Sequence, residues 1–231
     1  MTSSPDRPLD GSGKTLLDYP RPSVAVDTAL LTVHDGALKV LLVRRPGPGE
    51  GWALPGTFVH PGERLADAVL RSLREKAGVT GRSPHQLHVF DEPDRDNRGW
   101  VLSVAHVDVV PEAALIGSAV TAPRAKPQPV IELVEIDAID SMDLPYDHGQ
   151  IIGHAVTHIR GNYKTSPDPG GLLTGPFTLK ELREVHESVL GEPLQRDTFR
   201  RTMERQLSAT GAMSDGTKGR PAALFVSRGA T

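Results

Sequence analysis

The sequence predicts an α/β domain, a mixed β-sheet sandwiched between helices, followed by a smaller α+β domain. Three observations carry that reading. Apolar runs rich in β-branched residues recur between positions 24 and 136 around one amphipathic helical stretch, which suits a mixed sheet with helices packed on it. After Pro145 the texture changes, and helical spacing takes over. The charge changes with it: residues 151–231 carry a net +3 and residues 1–150 a net -6, as expected of two modules with different partners. A length of 231 residues accommodates two small domains.

Taken in order, VAVDTALLTV at 24–33 reads as a strand, His34-Asp35-Gly36 as a turn and LKVLLV at 38–43 as the returning strand. A loop rich in Gly and Pro follows. Leu65, Val69, Leu70 and Leu73 then recur at spacings of three and four, the apolar stripe of a helix. LHVFDE at 87–92, WVLSVAHVDVV at 100–110 and VIELVEI at 130–136 read as three more strands, with a loop over 111–129. In the second module, 146–163 reads as a helix with Ile151, Ile152, Ala155, Val156 and Ile159 on one face, and 166–176 as a linker. Thr178 with Glu181 makes a capping box, and Gly191 stops the helix that it starts. A third helix runs from Leu194 to about Gln206, with Leu194, Phe199, Met203 and Leu207 as its apolar side. Residues 210–227 read as two short strands around a Gly-rich loop.

Composition removes several function classes. The net charge of -3 gives no global attraction to nucleic acid, and the absence of cysteine excludes a disulfide framework and a thiolate metal site. No apolar run approaches the roughly 20 residues that span a bilayer. Residues 1–22 are polar and rich in Ser, Pro and Gly, and read as a flexible tail without the apolar segment of a signal peptide. A cytoplasmic protein with no membrane partner is expected.

Chemistry concentrates at 55–79, PGTFVHPGERLADAVLRSLREKAGV. Residues 72, 75 and 76 are neighbours on one side of the helix, and three carboxylates there would make an oxygen-rich nest for Mg2+. The residues present are Ser72, Glu75 and Lys76, and a Lys ammonium beside Glu75 repels a divalent cation. The stretch resembles the Nudix box, G-x5-E-x7-R-E-U-x-E-E-x-G-U, where U is a bulky aliphatic. Thr57 stands at the first Gly, Glu63 at the loop Glu and Arg71 at the Arg, while Ser72 and Lys76 replace the first and last helix carboxylates. The resemblance implies the scaffold of a diphosphate hydrolase without most of its metal chemistry, so no catalytic residue, no metal and no cofactor are expected. The plainer alternative is that Glu63, Arg71 and Glu75 only tie the loop to the helix by ion pairs.

Three helices followed by a basic hairpin is the order of a winged helix, which places its third helix in the DNA major groove and its hairpin against phosphate or minor groove. Candidate DNA contacts are Gln195, Arg196, Thr198, Arg200, Arg201 and Arg205 on the third helix, with Lys218 and Arg220 on the hairpin. Arg suits guanine, and the remainder suit phosphate or base edges.

The phrases LPGTFVHPGE, DRDNRGWVLSVAHVDVVP, DHGQIIGHAV, FTLKELREVHESVLG, FRRTME and GRPAALF extend the likeness. From about 24 to 227 the chain resembles the Nudix-related transcriptional regulators of NAD metabolism. The resemblance implies an α/β Nudix-like mixed-sheet sandwich over 23–145, followed by an α+β winged-helix domain over 146–231 that includes its leading helix and linker. It also implies a homodimeric repressor that binds paired half-sites in double-stranded DNA and responds to ADP-ribose or a related nucleotide. The rival is an ADP-ribose hydrolase with residual activity through Glu63 and Glu75. A diphosphate needs cations and backbone donors. Candidate ligand contacts are therefore Arg44 and Arg45 before the loop at 46–51, Arg95 and Arg98 in DEPDRDNRG, and the box residues Thr57, Phe58, Glu63, Arg71 and Glu75. Phe58 suits a ribose or base. Two residues depart from the usual pattern: Thr57 breaks the Gly-Gly pair, and Asn97 stands where Pro is common.

Overall fold

Strand β1 (Ser23–His34) organises the first domain because it is buried on both faces from Ala25 to Thr32. Its alternating side chains feed two cores, as the period-two geometry of a strand requires. Ala29 and Leu31 point to one side, and Val26 and Leu30 to the other. The computed structural model describes residues 8–45, 51–115, 130–215 and 221–228.

The sheet has the order β3-β2-β1-β6-β5, with β4 also paired to β1 and β7 to β2. Its other strands are β2 (Ala37–Arg44), β3 (Trp52–Ala53), β4 (Gly56–Phe58), β5 (His85–Phe90), β6 (Val101–Val109) and β7 (Ile131–Glu135). β1 and β6 run parallel; the other pairs are antiparallel, so the sheet is mixed as expected. Asp35 and Gly36 both take positive φ, 51° and 74°, the backbone that a tight hairpin between β1 and β2 demands. Strand β5 begins two residues before the expected 87–92, and a bulge between Gln86 and His88 shifts its register.

Helix α1 (Leu65–Ser72) covers one face and continues through a π-helical turn, Leu73–Ala77. Val69 and Leu73 are buried there with Val26, Leu30 and Leu41. Leu70, expected on the apolar stripe, is 37% exposed, since the stripe in contact with the sheet is narrower than the sequence suggested. The other face is covered by α2 (His148–Tyr163). Its buried Ile151, Ile152, Ala155, Val156 and Ile159 join Ala29, Leu31 and Val107 in one core. The sequence grouped this helix with the second module, but its apolar face is part of the sheet domain's core. Outside that face, His88 stacks on His154 at 5.0 Å and His85 lies 6.2 Å from His158.

The second module has two helices of its own, α3 (Leu179–Leu190) and α4 (Arg196–Met203), and a hairpin of β8 (Leu207–Met213) and β9 (Ala223–Ser227). Thr178 and Glu181 form the expected capping box, and Gly191 ends α3 in the left-handed conformation. Phe177, Leu182, Phe199, Met203 and Leu207 make a separate small core. Phe177 exchanges backbone hydrogen bonds of 3.0 and 2.8 Å with Phe225, a single antiparallel bridge that ties the start of α3 to the hairpin. The α-helix α4 is shorter than the predicted 194–206, because residues 204–206 tighten into a 3-10 turn.

The expected linker is a packed junction. Asp168 accepts hydrogen bonds from the Tyr163 hydroxyl and from the Leu172 and Leu173 N–H groups, each at 2.8 Å. Gly170 is pressed so closely that a Cβ would lie 2.7 Å from Val109 Cγ1 and 2.9 Å from the Tyr163 oxygen. Residues 8–22 of the expected tail also hold local order: Thr15 caps a 3-10 turn, Leu16–Asp18, and Asp10 accepts from Ser12 and Lys14 N–H groups. The loop residues 46–50 and 116–129 lie outside the described part. No described helix is long and apolar enough to cross a membrane.

Candidate functional site

The end of β2, the β3-β4 segment, the π turn and residues 95–98 surround a cleft of about 640 Å3, with Tyr146 and His148 also on its lining. Seven of the expected ligand residues line it: Arg44, Arg45, Thr57, Phe58, Glu75, Arg95 and Arg98. Glu63 and Arg71 do not. Arg71 bridges to Glu63 through two hydrogen bonds of 2.8 and 2.9 Å and reaches the Phe58 carbonyl at 2.9 Å and the Thr57 hydroxyl at 3.2 Å. Glu63 also accepts from the His60 N–H. The Arg71 hydrogen bonds, with that of His60, pull the Glu63 carboxyl down to about 2. The pair is a clamp that ties the β4 loop to α1.

The expected common face of residues 72, 75 and 76 is divided by the π turn. Ser72 is buried and its hydroxyl has no hydrogen-bond partner. The Glu75 side chain is 55% exposed and meets Arg74 at 3.5 Å. Lys76 turns inward and donates to the Gly56 carbonyl. Burial pushes the Lys76 ammonium pKa down, against the opposite pull of Asp27 and Glu75. A hard divalent cation needs several oxygen ligands. Here one carboxylate is spent on Arg71, one position is a buried hydroxyl, and a third is a cation. The residues present do not fit a metal, and no group of three or more His, Asp or Glu among the described residues is arranged to hold one.

The cleft's floor was not foreseen. Asp27, on β1, is buried, accepts from Ser103 at 2.5 Å and lies 3.4 Å from His148 Nε2. His148 Nδ1 accepts from the Leu54 N–H at 3.1 Å, so Nε2 carries the proton offered to Asp27. Burial alone would raise the Asp27 pKa, but hydrogen bonds from His148 and Ser103 and the charge of Arg95 hold it below the usual carboxylate range. Gly56 is required beside it, since a Cβ there would sit 1.8 Å from Asp27 Oδ1.

Cations and aromatic rings share the rim. Arg45, Arg95 and Arg98 stand 5.7, 6.0 and 5.2 Å from the centroid of Tyr146, and Arg98 lies 5.4 Å from that of Phe58. Arg44 lies over Trp52 at 5.7 Å. Tyr146 takes a left-handed φ of 55°, a strained choice worth on the order of 1–3 kcal/mol for a non-glycine residue. The Arg95 side chain is 2% exposed and pairs with Asp147 through Nε, while its buried Nη2 has no hydrogen-bond partner. Arg98 is held by Asp96 at 2.6 and 2.9 Å. The lining thus offers Arg44, Arg45, Lys76, Arg95 and Arg98 against Asp27, Glu75 and Asp96, a local surplus of positive charge. The sequence signals for the missed residues were present in part, since His148 lies within the DHGQ phrase and Tyr146 borders it, both grouped with the other module.

The second candidate surface is α4. Gln195, Arg196, Thr198, Arg200, Arg201 and Arg205 are all exposed. Gln195 spends its side-chain oxygen on the Thr198 N–H, which starts the helix. Arg200 pairs with Glu204 at 3.1 Å, and Arg201 reaches the Asp197 carbonyl. Phe199 and Met203 fix the opposite, buried side. Lys218 and Arg220 lie outside the described residues.

The two surfaces match known families. A NUDIX domain model matches residues 22–142, and a model of the NrtR DNA-binding winged helix domain matches residues 169–226. The chain is similar to the ADPR responsive transcriptional repressor NtrR of Acinetobacter baylyi, 31% identical over 190 residues that cover 80% of this chain and 74% of that protein. It is similar to the crystal structure of Shewanella oneidensis NrtR complexed with a 27mer DNA, with a TM-score of 0.73, 36% identity and coverage of 88% and 93% of the two chains. The ADP-ribose pyrophosphatase of Methanocaldococcus jannaschii is 39% identical over 95 residues, 40% of this chain and 54% of that enzyme. Relatives of the Nudix domain therefore include a regulator and a hydrolase.

Proposed function

The chain belongs to the Nudix family in its NrtR-type form, a Nudix domain joined to an NrtR DNA-binding winged-helix domain, and from that membership we propose that it is a transcriptional regulator whose cleft senses ADP-ribose or a related nucleotide. The observation that carries this reading is the span of α2. Its first turn is in the cleft, through His148 and the preceding Asp147 and Tyr146. Its last turn meets the winged helix. Arg160 donates to the Val189 carbonyl at 3.0 Å, and the Tyr163 ring lies 4.9 Å from His186, itself 5.0 Å from Phe199 of α4. At 1.5 Å per residue, its 16 residues cover about 24 Å. A ligand that moves Tyr146 and Asp147 acts on one end of a rigid rod whose other end abuts the DNA reader.

The cleft's chemistry supports an anionic nucleotide. Its volume falls in the usual range for small-molecule sites, about 300–1,000 Å3. The buried unpartnered Nη2 of Arg95 is a donor whose desolvation is offset once a phosphate oxygen accepts from it. Tyr146 and Phe58 supply faces for a base or ribose. In this reading Glu63 and Arg71 act through the loop that they clamp. The exposed Arg196, Arg200, Arg201 and Arg205 contact DNA, and two copies of the chain bind paired half-sites. The related hydrolase makes catalysis the rival, but hydrolysis through a bound metal is opposed by Lys76, Ser72 and the spent Glu63.

The test is a calorimetric titration with ADP-ribose, paired with chromatography of the same mixture for AMP and ribose 5-phosphate. Binding without appreciable product is expected. Turnover at ordinary enzyme rates, about 1–1000 per second, abolished by Glu75→Gln, would overturn the sensor reading.

A further inference from the structure

In the cleft one cation has no counterpart in a metal-dependent box. Lys76 stands at a position of the helix where a carboxylate would help to hold Mg2+. The π turn aims it inward, and the Gly56 carbonyl accepts one hydrogen bond from its ammonium. An ammonium has three N–H donors, so two remain for other acceptors. Asp27 and Glu75 are close enough to act on its charge, and Asp27 is wedged against Gly56. A compact positive charge is therefore fixed on the cleft wall. Lys differs from the neighbouring Arg groups in being a point charge rather than a planar fork, which makes it the better mimic of a small cation.

Resting on the ADP-ribose reading above, we propose that Lys76 is a resident cation that replaces a divalent metal in holding the diphosphate of the effector, so that binding needs no metal ion. The same substitution that removes hydrolytic metal chemistry then has a positive role. Two phosphate charges enter a partly desolvated cleft, where opposite charges attract far more strongly than in water. Arg95, also on the lining, offers its unpartnered Nη2, and Lys76 offers its two remaining donors. Effector affinity is thereby uncoupled from the supply of Mg2+.

The experiment is calorimetry of ADP-ribose with the full chain, once in EDTA and once in Mg2+. The wild type is expected to give the same Kd in both. Lys76→Met should weaken binding by roughly 10- to 100-fold in both, the loss of a charge-assisted hydrogen bond. Lys76→Glu should bind worse in EDTA than in Mg2+. Wild-type binding that disappears in EDTA overturns the proposal and leaves the ADP-ribose reading standing. A folded Lys76→Met protein that binds like the wild type also overturns it. If ADP-ribose binds under neither condition, the effector reading fails and takes this inference with it. Should Lys76→Met not fold by circular dichroism, Lys76→Gln and the wild-type EDTA arm, which needs no variant, decide.

Discussion

Three charged side chains of the cleft, Asp27, Arg95 and Asp96, are nearly sealed from water, while its Glu75 and Arg98 are 55% and 56% exposed and those of α4 stand in water. Arg95 and Asp96 are each 2% exposed and Asp27 11%, while Arg200 is 60% exposed. A buried charge costs folding energy unless it is paired in good geometry, and an exposed ion pair is worth little either way. The cleft therefore holds its charges through networks: Asp27 with His148 and Ser103, Arg95 with Asp147, Arg98 with Asp96. The α4 surface holds its charges loosely, and the Arg200–Glu204 pair is easily exchanged for a phosphate. In the proposed reading, one region is preorganised for a specific small anion and the other is an adaptable face for a large polyanion.

The contrast can be broken most directly at Asp27. Asp27→Ala leaves His148 and Ser103 without their partner and should cost about 2–6 kcal/mol of stability in urea unfolding, at about 1–3 kcal/mol for each buried donor left unsatisfied. A cost below about 0.5 kcal/mol, as at ordinary surface sites, would show that the cleft is not a desolvated charge site.

The next effect is at His186, beneath α4. Burial pushes its pKa down to about 4, so the folded state holds it neutral. Between pH 6.5 and 4 the unfolded chain binds the extra proton, so stability falls as pH drops through that window and is unaffected above it. The loss is at most about 3 kcal/mol at 1.36 kcal/mol per pH unit. His186→Gln should flatten the pH dependence of the melting temperature between these limits; an unchanged profile would contradict the assignment.

A smaller effect is expected at Tyr163→Phe. It deletes the hydroxyl bonded to Asp168 and should cost about 1 kcal/mol. If α2 couples the two regions, this variant should also respond less to ADP-ribose in DNA binding while keeping its ligand affinity. The smallest effect on stability is at Arg200→Ala, which should leave the melting temperature unchanged. If Arg200 contacts phosphate, the salt dependence of DNA binding becomes shallower by about one unit.

Much of the reader was legible because its rules are local. The Thr178–Glu181 box, the Gly191 stop and the Phe199–Met203 spacing each lie within one helix and were read correctly. The strands were legible for the same reason, since β-branched alternation is a short-range signal. The cleft was legible where the box stretch carries Thr57, Phe58 and Glu75, where a strand end before a loop carries Arg44 and Arg45, and where DEPDRDNRG carries Arg95 and Arg98. Asp27, Tyr146 and His148 come from distant parts of the chain, and no spacing links them. Residue 146 carries no sign of its left-handed backbone, and a π turn after Ser72 cannot be told from an α-helix by apolar periodicity. The packing of α2 on the sheet was not legible because its apolar face reads the same whether it covers a sheet or a helical bundle.

The measurement that bears most directly on the account is the affinity of the full chain for the DNA upstream of its own gene, by fluorescence anisotropy with and without saturating ADP-ribose. Occupancy of the cleft should change the DNA Kd by roughly 5- to 150-fold, the usual range of coupling between two sites, and this change should shrink in Tyr163→Phe. Specific DNA binding with the same Kd at every ADP-ribose concentration would contradict the claim that the cleft is a sensor joined through α2 to a reader.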